Sequence, residues 1–382
     1  MKNYLLLTTL LLTITISGQI SAFKEKFNLP EEVKETSGLL FLNGKIITHN
    51  DSGDGPKLYE IDSISGNLTR TISIVNATNV DWEDITQDET HIYIADIGNN
   101  NGNRTDLKIY SVLKSDYLRS NSVSAEIISF SYENQSDFTS QPNAHNFDAE
   151  AIVFYNSFFL IFTKNWADLK TNVYKIQATV GHHSAIKIST AHAEGLITGA
   201  TYDKENDSFF LCGYNTTLVP FLIYIDHNRA PGDDLFSSGF LKISLADQLE
   251  QGSQIEGITN LNRGGHHYLS REFFSVNIGE NEFIFSQKLY QFYDKSNPLL
   301  SLHKNNFTDY FWLEPNPVAN ELNIKSTKDF VSLLIVNSLG EEVFKQVSSK
   351  KTIDVSKLAP GIYYLKIQLD AQKNFVKTFI KG

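Results

Sequence analysis

Short apolar runs separated by polar turns fill the chain between residues 23 and 311, and five stretches repeat one layout. Each opens with acidic or small residues, enters a short strand, turns, runs through an apolar strand, crosses a polar loop and ends in a strand containing Tyr. The five are ETSGLLFLNGKIITHNDSGDGPKLYEID from Glu35, WEDITQDETHIYIADIGNNNGNRTDLKIYSV from Trp82, AEAIVFYNSFFLIFTKNWADLKTNVYKI from Ala149, ITGATYDKENDSFFLCGYNTTLVPFLIYID from Ile197 and IEGITNLNRGGHHYLSREFFSVNIGENEFIFSQKLYQFY from Ile255. Short runs rich in Ile, Phe, Tyr and Thr, bounded by Gly, Asn, Asp and Ser, predict β-strands. Each unit has room for a fourth strand, such as LTRTISIV or SAIKISTA. Four antiparallel strands per unit, repeated radially, predict a β-propeller, because no unit buries both faces alone and a closed ring does. The fifth unit lacks an evident fourth strand, and FKEKFNLP, ahead of the first, is placed to supply it. The expectation is an all-β body over residues 23–300 with five blades, or six with one degenerate. A β-sandwich with long insertions competes, but it does not account for the recurrent layout.

After a linker at 301–311 the pattern changes. Residues 312–382 carry six or seven short strands at the spacing of a small, immunoglobulin-like β-sandwich. Pro315-Asn316-Pro317 fixes an extended entry, Gly340 supplies the flexible residue of a hairpin in VNSLGEEV, and Pro360-Gly361 turns the chain before the alternating IYYLKI. These ordered motifs, with the alternation from Leu322 to Ile324, IDVSKLAPGIYYLKI and the basic end at Lys377 and Lys381, closely resemble the type A C-terminal sorting domain of the type IX secretion system. The resemblance implies a domain read by that export machinery. It also implies a protein secreted by a Gram-negative bacterium or held on its outer-membrane surface.

The first 22 residues agree with export: Lys2, an apolar core from Leu5 to Ile16 and small residues at Ser21-Ala22 read as a secretory signal peptide. No later segment is long and apolar enough to span a bilayer as a helix. Charge divides unevenly. Residues 23–311 hold 22 Lys or Arg against 37 Asp or Glu, whereas residues 312–382 hold ten Lys against seven acids. An acidic body repels phosphate backbones, which argues against nucleic acid and admits cations or neutral ligands. Cys212 is the single cysteine, so no internal disulfide forms, and in FFLCGY it reads as a small buried apolar residue.

In an antiparallel blade the start of strand one lies beside the end of strand two, so residues opening each repeat share a face with the loops after each second strand. On that face the sequence gathers Glu35, Asp81, Glu83, Asp84, Asp148, Glu150 and Glu256 with Asp51, Asp54, Asp96, Asn99 and Arg271. Two readings compete. Glu35, Glu83, Glu150 and Glu256 surround one cation or polar ligand, or the carboxylates fix blade to blade through backbone amides, Arg104 and Arg271. Oxygen-only donors favour Ca²⁺ as cofactor over Zn²⁺. NDSGDG from Asn50 matches a calcium loop at four positions, but its twelfth is Ile61, and turn chemistry is the preferred explanation. Trp82 and Trp166 fall on the same face and suit sugar stacking or wedging between blades. No nucleophile elbow, zinc-protease motif or phosphate loop occurs.

The body also resembles uncharacterised exported propellers, related in layout to esterase-like phytases and sugar-lactone hydrolases. The resemblance rests on Glu35 to Leu39, His49 to Asp54, Asp81 to Ile85 and Asp96 to Asn100. Three functions follow: a propeller that binds a small ligand, glycan or protein on its acidic face; a metal-dependent hydrolase in which His49 or Asp96 activates water; or a structural surface protein.

Overall fold

The computed structural model describes residues 20–229, 232–262, 264–278, 281–294, 311–326, 330–337, 342–347, 349–368 and 374–382. The predicted signal peptide to residue 19, the linker at 301–310 and the hairpin Gly340 lie outside them. The chain divides into two compact units, residues 1–301 and 302–382.

In the first unit, five four-stranded antiparallel blades follow one another. From the innermost strand outward, blade 1 is Thr36–Leu42, Lys45–Asn50, Lys57–Asp62 and Leu68–Ile74. Blade 2 is Trp82–Gln87, His91–Asp96, Lys108–Leu113 and Glu126–Tyr132. Blade 3 is Ala149–Tyr155, Phe158–Thr163, Thr171–Gln177 and Gly181–Ala191, and blade 4 is Leu196–Asp203, Ser208–Tyr214, Pro220–Asp226 and Leu241–Ser244. Blade 5 takes Ile255–Asn260, His266–Arg271 and Lys288–Asp294 from its own repeat and its outer strand, Ile20–Asn28, from the N-terminal side of blade 1. The expected closing strand is therefore present, and it reaches back to Ile20, inside the stretch assigned to the leader. The innermost strands pack in cyclic order, blade 5 returning to blade 1, so the ring closes at five blades.

The strand pattern follows from this ring. Each inner strand is flanked on both faces by neighbouring blades, so successive residues enter different cores: Leu39 packs toward blade 5 and Leu40 toward blade 2. One apolar cluster fills each of the five interfaces. That is why Ser208–Tyr214 is buried at every position, while the outer strand Leu68–Ile74 alternates. Asn43 and Gly44, both with positive φ (51° and 78°), make the primed turn that a two-residue hairpin needs. The outer strands of blades 2 and 3 pair in parallel and merge the two blades into one eight-stranded sheet. Between the second and third strands of blade 5 the chain makes a separate hairpin, Phe274–Ile278 with Asn281–Phe285.

The second unit is two packed sheets. Phe311–Glu314, Glu321–Ser326 and Thr352–Asp354 form one; Glu342–Gln346, Ser332–Asn337, Gly361–Gln368 and Asn374–Lys381 form the other. Leu322, Ile324, Leu333, Ile335, Leu365, Ile367 and Phe379 fill the core between them.

Candidate functional site: the acidic mouth of the channel

Every inner strand carries a register shift at its start: between Thr36 and Leu39, Trp82 and Asp84, Ala149 and Ala151, Ile197 and Gly199, and Ile255 and Ile258. A bulge re-aims the extra residue. The bulged positions are Ser37, Glu83, Glu150, Thr198 and Glu256, five equivalents around one ring. Glu35 is not among them. Its equivalents are Asp81 and Asp148, the residues preceding the inner strands of blades 2 and 3, and the expected quartet is corrected accordingly. Ser37 occupies the blade 1 position and donates its hydroxyl to Glu83 O at 2.5 Å, while Thr198 donates to Ile255 O at 2.6 Å. Both tie one inner strand to the next.

The residues following each second strand complete the mouth, because their amides bond to the residue preceding the inner strand: Asp51 to Glu35, Lys164 to Asp148 and Glu272 to Gln254. Carboxylate oxygens of Asp51, Asp81 and Glu83 come within 4.8 Å of one another. Glu83 is 3% exposed, and no hydrogen bond from the described residues reaches its carboxylate. Gly98 backs the group: a Cβ there would lie 2.1 Å from Glu83 Oε1 and 2.4 Å from Asp81 Oδ2. Asp148 is held by the Asn99 amide at 2.6 Å and Trp166 Nε1 at 2.8 Å. Lys164, 6% exposed, donates to Glu150 Oε1 at 2.8 Å and lies over the rings of Trp166 and Tyr214.

Burial and mutual repulsion leave the acids reluctant to ionise. Burial, then the charges of Asp51 and Asp148, push Asp81 up to about 7. Glu150 rises to about 8, chiefly by burial, with Lys164 pulling the other way, and Glu272 rises to about 8 through burial and the charges of Glu35 and Asp51. Glu83 and Glu256 go well above the carboxylate range for the same reasons. Burial, ahead of Asp51, also raises the exposed Glu35.

Several expected site residues are placed elsewhere. Asp84, wholly buried, accepts from its neighbour Ile85 N at 2.8 Å and from Ile152 N of blade 3 at 2.9 Å, and the backbone of Ala200 in blade 4 is a further partner. It knots the inner edges of three blades below the mouth rather than facing a ligand. His49 is sealed at 0% exposure, edge-on to Trp82 at 5.6 Å, and burial lowers its pKa to about 4. Trp82 is itself fully buried between blades 1 and 2, its Nε1 donating to Thr78 O at 3.0 Å, so it wedges blades and stacks on no sugar. Asp96 pairs with Arg104 at 2.8 Å. Asn99 Nδ2 bonds Phe147 O at 3.0 Å, which ties blade 2 to blade 3. Arg271 reaches Ser286 O, Ser253 and Glu250. Asp54 spends its oxygens on Asn50, Tyr59, Gly55 N and Lys57, as a turn does. Trp166, half-buried, is the expected aromatic that remains at the mouth. Asp81 and Asp148, expected on this face but not in the quartet, open an Asp-x-Glu in two adjacent repeats, Asp81-x-Glu83 and Asp148-x-Glu150, and that repetition was the available signal for ranking them with the glutamates.

In the second unit, Pro315, Asn316 and Pro317 are exposed, and Asn316 Oδ1 accepts from Ile380 N at 2.8 Å. Val318 bridges to Lys381, whose side chain is buried, while Lys377 and Gly361 are half-buried. The N-terminal Pro-Asn-Pro motif and the C-terminal strand thus meet. Residues 313–381 match the secretion system C-terminal sorting domain. The tail is a type IX sorting domain. This sorting domain marks the chain as a protein secreted, or anchored at the cell surface, by that machinery. Among the described residues no helix is long and apolar enough to cross a membrane.

No curated protein matches the chain. Among solved structures, it is similar to PorZ, a surface component of the type IX secretion system of Porphyromonas gingivalis, at 10% identity and a TM-score of 0.35 over 91% of this chain and 45% of that one. The chain therefore spans less than half the length of PorZ. Glutaminyl cyclase of Myxococcus xanthus aligns at 10% identity and a TM-score of 0.36 over 70% of this chain and 97% of that one. YCF48 bound to D1 peptide aligns at 10% identity and a TM-score of 0.31 over 96% of each.

Proposed function

We propose that this type IX cargo is a cation-dependent binding propeller, in which Asp51, Asp81 and Glu83 hold a Ca²⁺ ion that in turn receives oxygen atoms of a small ligand, glycan or protein. The observation that carries the reading is the buried Glu83 carboxylate, without a hydrogen-bond donor among the described residues, converging with two aspartates within 4.8 Å. A carboxylate so placed requires a proton or a cation, and the donor set is oxygen only, which suits a hard ion. Glu150, Glu256 and Glu272 surround the same mouth with Lys164 as internal counter-charge, leaving the cluster strongly acidic. His49 is sealed from solvent and Asp96 lies wholly buried with one oxygen on Arg104, so neither is placed to activate a water at the mouth and the binding reading is preferred to hydrolysis.

The test is calorimetric titration of the full secreted chain, freed of metal by chelation, with CaCl₂, MgCl₂ and ZnCl₂, alongside thermal unfolding. Saturable calcium binding with a raised Tm is expected, since a ligand of the native state stabilises it by mass action. No binding and an unchanged Tm would remove the basis of the proposal.

A further inference from the structure

A cavity of about 360 Å³ opens between blades 4 and 5. One wall belongs to blade 5, with Lys24 and Glu25 on the closing outer strand, Lys288 and Tyr290 on the third strand and Arg271 at the end of the second. The opposite wall is the loop at 247–250, which follows the outer strand of blade 4. Because the closing strand comes from the N-terminal side of blade 1, the cavity is complete only when the ring is shut.

The blade 5 wall holds two buried donors that the fold leaves unspent. Arg271 is 3% exposed. Its Nε donates to Ser286 O at 3.0 Å, and its Nη1 to Ser253 Oγ at 3.2 Å and to Glu250 Oε2 at 3.4 Å. Nη2 carries two further hydrogens that meet no acceptor among the described residues, and the atom is open to the cavity rather than sealed. The Tyr290 hydroxyl also has no partner among the described residues and is not sealed. Its ring stacks on Phe23 at 5.6 Å and stands 5.9 Å from the Arg271 guanidinium. Burial, against the pull of Arg271, pushes the phenol up to about 12, so it keeps its proton to donate.

The charges are divided between the walls. Lys288 pairs with Glu25 at 2.7 Å, whereas Lys24 and Asp247 are exposed and form no ion pair among the described residues. The Glu250 side chain is 78% exposed. Blade 5 thus sets Lys24, Arg271 and Lys288 against Glu25, a net of two positive charges, and the blade 4 loop answers with the two negative charges of Asp247 and Glu250.

We propose that this cavity binds a zwitterionic α-amino acid, its carboxylate on Arg271 Nη2 and the Tyr290 hydroxyl and its ammonium toward Asp247 and Glu250. A ligand with an anion at one end and a cation at the other matches both walls. A neutral ligand leaves the buried guanidinium under-compensated, a simple amine faces that guanidinium, and a dianion faces the two acids of the loop. The two charges must lie close together, because Glu250 Oε2 stands only 3.4 Å from the same guanidinium. The volume sits at the lower end of ligand pockets, which suits one amino acid, and Phe23 and Leu249 offer apolar surface to its side chain. None of Asp51, Asp81 and Glu83 lines the cavity, so the site makes no use of the cation proposed for the mouth.

The test uses the full secreted chain in EGTA, titrated with leucine, phenylalanine, glutamine and arginine, each beside its deaminated acid and its decarboxylated amine, and with phosphate as the dianion. Binding is followed by calorimetry and saturation-transfer NMR and repeated in CaCl₂. Saturable binding of at least one amino acid is expected, equal in EGTA and CaCl₂ and about tenfold tighter than either of its half-ligands. Y290F, which keeps the stacked ring, should weaken it about tenfold. D247N/E250Q, on exposed positions, should abolish the advantage of the amino acid over its deaminated acid, and circular dichroism verifies that both variants are folded. Failure of all four amino acids to bind at millimolar concentration overturns the proposal. So does an amine or phosphate that binds as tightly as the amino acid, binding that disappears in EGTA and so belongs to the mouth, or binding that neither variant changes.

Discussion

Substituting Glu83 by Gln separates a ligand-binding carboxylate from a structural one, because the two roles predict opposite signs. In the metal-free protein the Glu83 carboxyl lies well above its ordinary value of 4.5, first through burial and then through the charges of Glu150, Asp51 and Asp81. An acid whose folded pKa is raised takes up a proton on folding, so its contribution worsens as pH climbs above the unfolded pKa. At about pH 7.5, some three units above 4.5, holding that proton costs up to about 4 kcal/mol, at about 1.4 kcal/mol per unit. At about pH 5 the cost falls below about 1 kcal/mol. Because Glu83 is 3% exposed, solvent screening leaves that figure largely intact. E83Q keeps the shape and removes the titration. In EGTA it is expected to melt higher than the natural chain, by up to about 8 °C at pH 7.5 and by little at pH 5. In CaCl₂ the order reverses, because the natural chain gains cation binding that the variant has lost. The assay is thermal unfolding in both buffers at both pH values. An E83Q chain that melts lower in EGTA at both pH values would refute the reasoning, since Glu83 would then be making a stabilising bond.

Three further substitutions probe the surroundings. G98A places a Cβ 2.1 Å from Glu83 Oε1, so calorimetry should show calcium binding weakened by more than about tenfold, while unfolding in EGTA shows the fold retained. D84N replaces one of the two oxygens that accept from inner-strand amides with an NH₂ group, which donates and leaves an amide unpaired; denaturant unfolding should show a loss of about 2 kcal/mol, with the calcium response unchanged. K164M strips Glu150 of its buried counter-charge at 2.8 Å. A loss of about 3 kcal/mol in EGTA is expected at about pH 9, above the Glu150 value of about 8, where the carboxylate would be left bare, and a smaller loss at neutral pH, where it holds its proton, measured by the same melts.

Much of the architecture is written locally. Strand runs, turns and the five starting points follow from period-two alternation and Gly, Asn and Asp placement, because each blade presents the same two buried faces. The missing fourth strand of repeat five, and FKEKFNLP as its replacement, follow from counting strands against a ring that must close. The sorting tail is legible from ordered short motifs alone, since its turns require particular residues.

The site was only half legible. That repeat-opening acids and second-strand loops share one end is a consequence of antiparallel pairing, which sequence dictates. Which acids face inward depends on a bulge at the start of each inner strand, and a shift of one residue turns a side chain to the opposite face. Ser37 rather than Glu35 therefore holds the blade 1 position, Glu83 faces the mouth and its neighbour Asp84 faces the hub. His49 and Trp82 look like exposed site residues beside acidic motifs, yet the packing of blade 1 on blade 2 encloses both. The chain determined the ring and the end at which its charge collects. Only the contact of one blade with the next, between residues far apart in sequence, decided that Glu83 is enclosed at the mouth with no donor to its carboxylate among the described residues.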